Sequence, residues 1–191
     1  MQMLRNYFKG FGDISSENMD FLLSHCTSLE VPKGTELIKP NQDVDAVYFL
    51  EEGFLHYYTY SDFGERVTLK VVEANYCWTM MDSFVNHVPS SDYCVALSSV
   101  RLCELKRENY QAIKSKNKEL SNFIQSIVEQ ILSAKVIEAN KKSRMTIEQR
   151  YLDLLENHTK MVQEVPVQIL ASLIGTSRET LHRIRRKLAA A

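Results

Sequence analysis

Proline and glycine are scarce, with four and six in 191 residues. That excludes a collagen-like repeat and a Pro/Gly-rich low-complexity chain. Only four cysteines are present (Cys26, Cys77, Cys94 and Cys103), and none are paired at metal-ligand or redox spacing. They read as reduced thiols of a cytoplasmic protein. No apolar run approaches the ~20 residues of a membrane helix, and residues 1–7 hold no apolar signal core, so neither a membrane nor secretion is expected. The five histidines are scattered and form no HExxH-like set. No metal ligand and no catalytic residue is therefore assigned. A net charge of only −1 with 45% hydrophobic residues excludes disorder as the main state.

The near-zero charge conceals an asymmetry. Residues 1–140 carry 13 Lys/Arg against 19 Asp/Glu, a balance of −6, whereas residues 141–191 carry 10 against 5, a balance of +5. A basic end on an acidic body suits a region that meets a polyanion. A solvated helix face would show the same charge.

Texture changes along the chain. Residues 1–30 look helical, with Ser15 as a cap before Ser16-Glu17. Residues 31–105 are rich in β-branched and aromatic types, and turn signals recur at Lys33-Gly34, residues 40–43, Glu52-Gly53 and Phe63-Gly64. Short strands at this spacing predict a sandwich or barrel. Residues 73–92 interrupt the rhythm and fit a short helix or irregular insert. Strand texture then returns at 93–97 and 100–105.

From about Arg107 the period is helical. Leu120, Ile124, Ile127, Ile131 and Ala134 step by 4, 3, 4 and 3, a heptad seam over about two heptads. Phe123, Val128, Leu132 and Val136 flank it. One side can lie on the β-domain, leaving the seam for a second copy; the other reading is a helix buried in its own chain. Residues 138–148 are polar and read as a joint, and residues 146–157 read as a further helix.

The last 27 residues carry the strongest pattern. Val167, Leu170, Ala171, Leu173 and Ile174 form one apolar helix face, Gly175 follows, and a second helix has its stripe at Leu181, Ile184 and Leu188. Glycine supplies the left-handed turn, and Thr176 or Ser177 caps the second helix. The opposite face presents Arg178, Glu179 and Arg183, with Arg185, Arg186 and Lys187 further on. Arg178 and Arg183 suit guanine acceptors, and Glu179 suits a cytosine amino group. Ser177, Thr180 and the helix-terminal amides suit phosphates, and Arg185, Arg186 and Lys187 add attraction blind to sequence.

The run from Ile174 to Ile184, with Gly175, Ser177, Arg178, Glu179, Thr180 and Arg183, resembles the recognition motif of the CRP/FNR family of bacterial transcription regulators. The order β-roll, long helix, basic end agrees over nearly the whole chain, and the short form is similar to members from the Bacteroidetes. The resemblance implies an α+β protein. Residues 1–112 would be an N-terminal double-stranded β-helix (jelly-roll) sensor domain, 113–142 a dimerisation helix and hinge, and 143–191 a helix-turn-helix domain. It places Arg178, Glu179 and Arg183 at base-reading positions. Gln168, Ser177 and Thr180 take phosphate positions, with Thr176, Arg186 and Lys187 completing the DNA-binding set. The implied partners are double-stranded DNA, a second copy of the chain and RNA polymerase.

Two departures from the family stand out. Cyclic-nucleotide-binding members carry a Gly-Glu pair and, after a proline, an Arg with a small residue. Here the corresponding stretches are residues 78–84 and Pro89-Ser90-Ser91-Asp92. Met80 or Met81 falls at the Glu position and Ser90 at the Arg position. A buried phosphate would lack its cation, so weak or no cyclic AMP binding is expected. The candidate effector pocket is Trp78, Thr79, Met80, Met81, Ser83, Ser90 and Ser91. It would take an unidentified small molecule, or the same residues would serve simply as core. No certain cofactor is assigned. The second departure is that no long wing is expected after the recognition helix. Two other classes fit less well: a ligand-binding β-roll without DNA binding, and an enzyme in the roll, for which His56 and His87 are too isolated.

Overall fold

The computed structural model describes residues 1–189. Two helices, α1 (Gln2–Lys9) and α2 (Ser16–Ser24), precede eight strands. The strands are β1 (Thr27–Val31), β2 (Glu36–Ile38), β3 (Ala46–Glu52), β4 (Phe54–Tyr60), β5 (Arg66–Glu73), β6 (Tyr76–Trp78), β7 (Tyr93–Ala96) and β8 (Val100–Lys106). A short helix, α3 (Met81–Asn86), separates β6 from β7. Then come α4 (Arg107–Lys116), α5 (Lys118–Ser143), α6 (Ile147–Asn157), α7 (Thr159–Glu164), α8 (Val167–Ile174) and α9 (Arg178–Ala189). Residues 190–191, the end of the segment expected to form the basic domain, lie outside the described residues. None of the described helices is long and apolar enough to cross a membrane.

The strands form two antiparallel four-stranded sheets, β1-β8-β3-β6 and β2-β7-β4-β5. Ile38, Tyr48, Leu50, Leu55, Val72, Trp78 and Leu102 fill the space between them. The near-continuous apolar run of β3 has a direct cause. Ala46, Tyr48 and Leu50 point into the roll, while Phe49 points out and is covered by α1 and α5. A strand buried on both faces loses the alternation of a one-sided sheet.

Three expectations change. Residues 27–31 are strand, because β1 pairs with β8 from Thr27↔Glu104 to Val31↔Val100. Within the irregular stretch, residues 76–78 are strand, paired to β3 as Tyr48↔Trp78. The polar joint at 138–148 is mostly helix, since α5 runs to Ser143 and the break is confined to 144–146. There a capping box of Thr146 and Gln149 starts α6. An earlier break falls at Asn117, whose side chain accepts from Leu120 N at 2.9 Å and caps α5.

Most of the seam on α5 packs within this chain. Leu120, Ile124 and Ile127 are buried in this chain against Leu4, Phe8, Met19 and Leu22, and Ile131 packs at the edge of the same cluster. The N-terminal helices supply the apolar surface that the seam needs. The apolar side chains left open on α5 are Leu132, Val136 and Ile137, 47%, 59% and 66% exposed. Ala134 is exposed but small.

Candidate functional site

The basic end is built on a tight helical corner. Gly175 has φ +80°, the left-handed region where a Cβ is strained. Its position is fixed by Arg150, whose Nη1 donates to Ile174 O at 3.1 Å. Thr176 N closes the turn on Ala171 O at 2.9 Å. Ser177 Oγ then accepts from Thr180 N at 3.2 Å, which makes Ser177 the cap of α9. Leu181 and Ile184 are buried against Leu170, Ala171 and Ile174. Ala171, 1% exposed, is small at the helix crossing.

With that face inward, Ser177, Arg178, Glu179, His182, Arg183, Arg186 and Lys187 are exposed, and so is Gln168 on α8. Thr176 and Thr180 are half-buried. Arg178 Nε donates to His182 Nε2 at 3.4 Å. The amide of Glu179 and the Ser177 hydroxyl hold the Glu179 carboxyl below its ordinary value. Two of the six charged groups expected to serve DNA are otherwise engaged. Arg185 turns back over the Tyr151 ring at 5.5 Å, and Lys187 pairs with Glu148 at 2.8 Å. Arg178, Arg183 and Arg186 have no carboxylate partner among the described residues.

Of the residues proposed for an effector pocket, Trp78, Thr79 and Met81 border one cleft, while Met80 and Ser90 are buried against each other. Trp78 and Met80 lie in the core between the sheets, and Trp78 meets Tyr48 and Tyr57 with ring centroids 6.1 and 5.8 Å away. Ser90 Oγ lies against Met80 Sδ and donates to Asp92 O at 2.9 Å. Ser83 is buried, Ser91 is exposed, and Thr79 and Met81 border a cleft on the outer side of the first sheet. Large apolar groups thus fill the interior of the roll. Arg107, which no local sequence pattern marks, is spent on structure. It donates to Val44 O, Ser83 O and His87 Nδ1 and pairs with Asp43, tying α3 to the loop before β3.

The helical end docks on the second sheet. Phe54 and Val71 share one cluster with α6–α9, and Thr68 N donates to Ser172 Oγ at 2.8 Å. His158 bonds Glu73 through Nδ1, and that bond raises the imidazole pKa. His56, wholly buried on the same face of β4 as Phe54, bonds Thr68 Oγ1 through Nε2 at 3.0 Å, while its Nδ1 has no partner. Burial pushes the His56 pKa down to about 4.

The chain is thus a roll of two antiparallel sheets, with a short helix between β6 and β7 and a long helix leading to a helical end. Residues 28–117 match the cyclic nucleotide-binding domain family. The Thermus thermophilus Catabolite Activator Protein is similar over 94% of this chain and 86% of its own, at 22% identity and a TM-score of 0.56. The c-di-GMP responsive global regulator CLP of Xanthomonas campestris is similar over 92% of each chain, at 20% identity and a TM-score of 0.68. A CRP/FNR-family transcriptional regulator from Eubacterium rectale is similar over 97% of this chain and 88% of its own, at 19% identity and a TM-score of 0.68. No curated relative matches the sequence. The chain therefore has the fold of these CRP/FNR-type regulators, with residues 28–117 similar to the cyclic nucleotide-binding domain.

Proposed function

We propose that the protein is a sequence-specific, DNA-binding transcription regulator of the CRP/FNR type, acting in the cytoplasm as a homodimer. The observation that carries this reading is α9. Its apolar face is consumed by α8, and its opposite face shows Arg178, Glu179 and Arg183 beside an exposed, Ser177-capped N-terminus. A helix so mounted offers its first turns to a major groove. Base edges would be met by Arg178, Glu179 and Arg183. Gln168, Thr176, Ser177 and Thr180 would meet phosphates, and Arg186 would supply sequence-blind attraction. Lys187 joins them only if it leaves Glu148.

In this division of labour residues 1–112 sense, 113–142 pair the two copies and 143–191 bind DNA. The two recognition helices of a dimer would reach successive grooves about 34 Å apart. RNA polymerase is the further partner of such an arm. Cyclic AMP is expected to bind weakly, because aromatic and thioether groups line the place its phosphate would need.

Selection of bound fragments from random duplexes tests the function. A two-fold symmetric consensus is expected, with affinity falling steeply as salt rises and unchanged by micromolar cyclic AMP. Recovery of no consensus, with salt-insensitive binding, would favour a ligand-binding roll whose helical end is a protein-contact surface.

A further inference from the structure

A cleft of about 330 Å³ lies outside the β-roll, between the outer face of the first sheet, α3, α4 and α5. That volume falls within the ~300–1,000 Å³ of small-molecule sites. Trp78, Thr79 and Met81 border it at the edge of the first sheet, whereas Met80 lies in the core between the sheets and does not.

Its floor is apolar. Phe49 and Cys103 are buried there, and Ile127 forms part of the α5 wall. The α5 residues that border it run from 124 to 135, a length of roughly 16 Å at the helical rise. An elongated ligand suits that shape better than a compact one. The charge is one-sided. Arg107, Lys114 and Lys135 border the cleft and no carboxylate does, although the surrounding residues 1–140 are acidic by six charges. Lys114 is exposed and Lys135 half-buried, so both stand at the mouth rather than on the floor. Neither has a hydrogen-bond or ion-pair partner among the described residues, whereas Arg107 is tied to Asp43 and His87. An apolar trough with two uncommitted ammonium groups is complementary to a molecule with one hydrocarbon chain and one anionic end.

We propose that this cleft binds a single-chain amphiphilic anion, the chemistry shared by a medium-chain fatty acid and an alkyl phosphate. The chain lies along α5 over Phe49 and Cys103, and the anionic head is held by Lys114 or Lys135. An occupant would touch α3, α4 and α5 together. Because α5 leads into α6, it is placed to bias the angle between the roll and the helical end.

The test is calorimetric titration of the full chain with dodecanoate, dodecyl phosphate, 1-dodecanol and dodecyltrimethylammonium, each below its micellar concentration. At least one anion is expected to saturate at one molecule per chain. The alcohol should bind at least tenfold more weakly, and the cation not at all. The Lys114→Glu/Lys135→Glu pair, both at the mouth and away from the core, should lower anion affinity at least tenfold with an unchanged circular dichroism spectrum. The single variant with the larger loss identifies the head-group end. Val128→Trp, which narrows the cleft from a half-buried position, should weaken the anions and the alcohol alike. Unsaturable binding, equal affinity for alcohol and anion, or a double variant that binds as the parent does would overturn the proposal. The readout is binding to the chain itself, so its failure is distinct from failure of the DNA-binding reading.

Discussion

Single residues set the sharpest constraints. Gly53 turns the chain between β3 and β4 at φ +88°, and an added Cβ would lie 2.6 Å from both Ser98 Oγ and Ser99 O. Ser98 Oγ accepts from Phe54 N at 3.1 Å, so a shift to relieve the clash breaks a bond of the hairpin. Gly53→Ala should lower unfolding stability by at least about 2 kcal/mol, measured by urea denaturation; a loss below half of that would mean the turn yields easily. On α9 the arginines without a carboxylate partner among the described residues divide by position. Arg178, in the first turn, should cost about 1–3 kcal/mol when changed to Ala and relax the preference at one base pair. Arg186→Ala should weaken all sequences equally and reduce the salt slope. Binding isotherms on a panel of point-mutated sites separate the two effects, and indistinguishable profiles would end the assignment of base readers.

At the scale of elements, β5, on which the helical end docks, bonds two histidines of opposite sense, His56 of β4 through Thr68 and His158 between α6 and α7 through Glu73. The His158 pKa is raised by its bond to Glu73. A raised value means that the docked form favours the proton. The His158 contribution is complete below the ordinary imidazole value near 6.5 and is lost as pH rises through the raised one. His56 is the reverse. Held down to about 4 by burial, it favours docking when neutral, and its contribution falls as pH drops from about 6.5 toward 4. Docking should therefore be tightest in mildly acidic solution and loosen on both sides. Hydrogen exchange of α8 amides across pH 4–9, corrected for intrinsic rates, should show that minimum. Glu73→Gln should remove the alkaline limb and leave the acid limb. An alkaline limb that survives in the variant would show that His158 does not govern it.

For the whole molecule, the proposed pairing of two copies calls for an apolar surface that this chain leaves uncovered. Leu132, Val136 and Ile137 remain open on α5 after the body has covered Leu120, Ile124 and Ile127. A parallel pairing of two α5 helices would therefore use the C-terminal half, near the start of α6, rather than the whole heptad seam. Leu132→Asp/Val136→Asp should convert a dimer to a folded monomer in sedimentation and abolish binding to a two-fold site while leaving the circular dichroism spectrum intact. A variant that sediments with the parent would place the interface elsewhere.

Local pattern made much of this protein legible. Ser15, Thr146 and Ser177 cap helices because a side-chain oxygen meets amides only two or three residues ahead, and Gly175 turns left-handed because no Cβ opposes it. The stripe of Leu181 and Ile184 has the period of its own helix. The strand rhythm of 93–105 follows from alternation along one chain. Partners distant in sequence are a different matter. Residues 27–31 became strand only because β8, some 75 positions later, offered an edge. Which side of α5 faced inward depended on Leu4, Phe8 and Leu22 arriving to cover it. The burial of His56, the commitment of Arg185 to Tyr151 and of Lys187 to Glu148, and the lysine-rimmed cleft arise the same way. Periodicity states that a face is apolar, but the surface that buries it comes from chain far away in sequence, and no local window contains that choice.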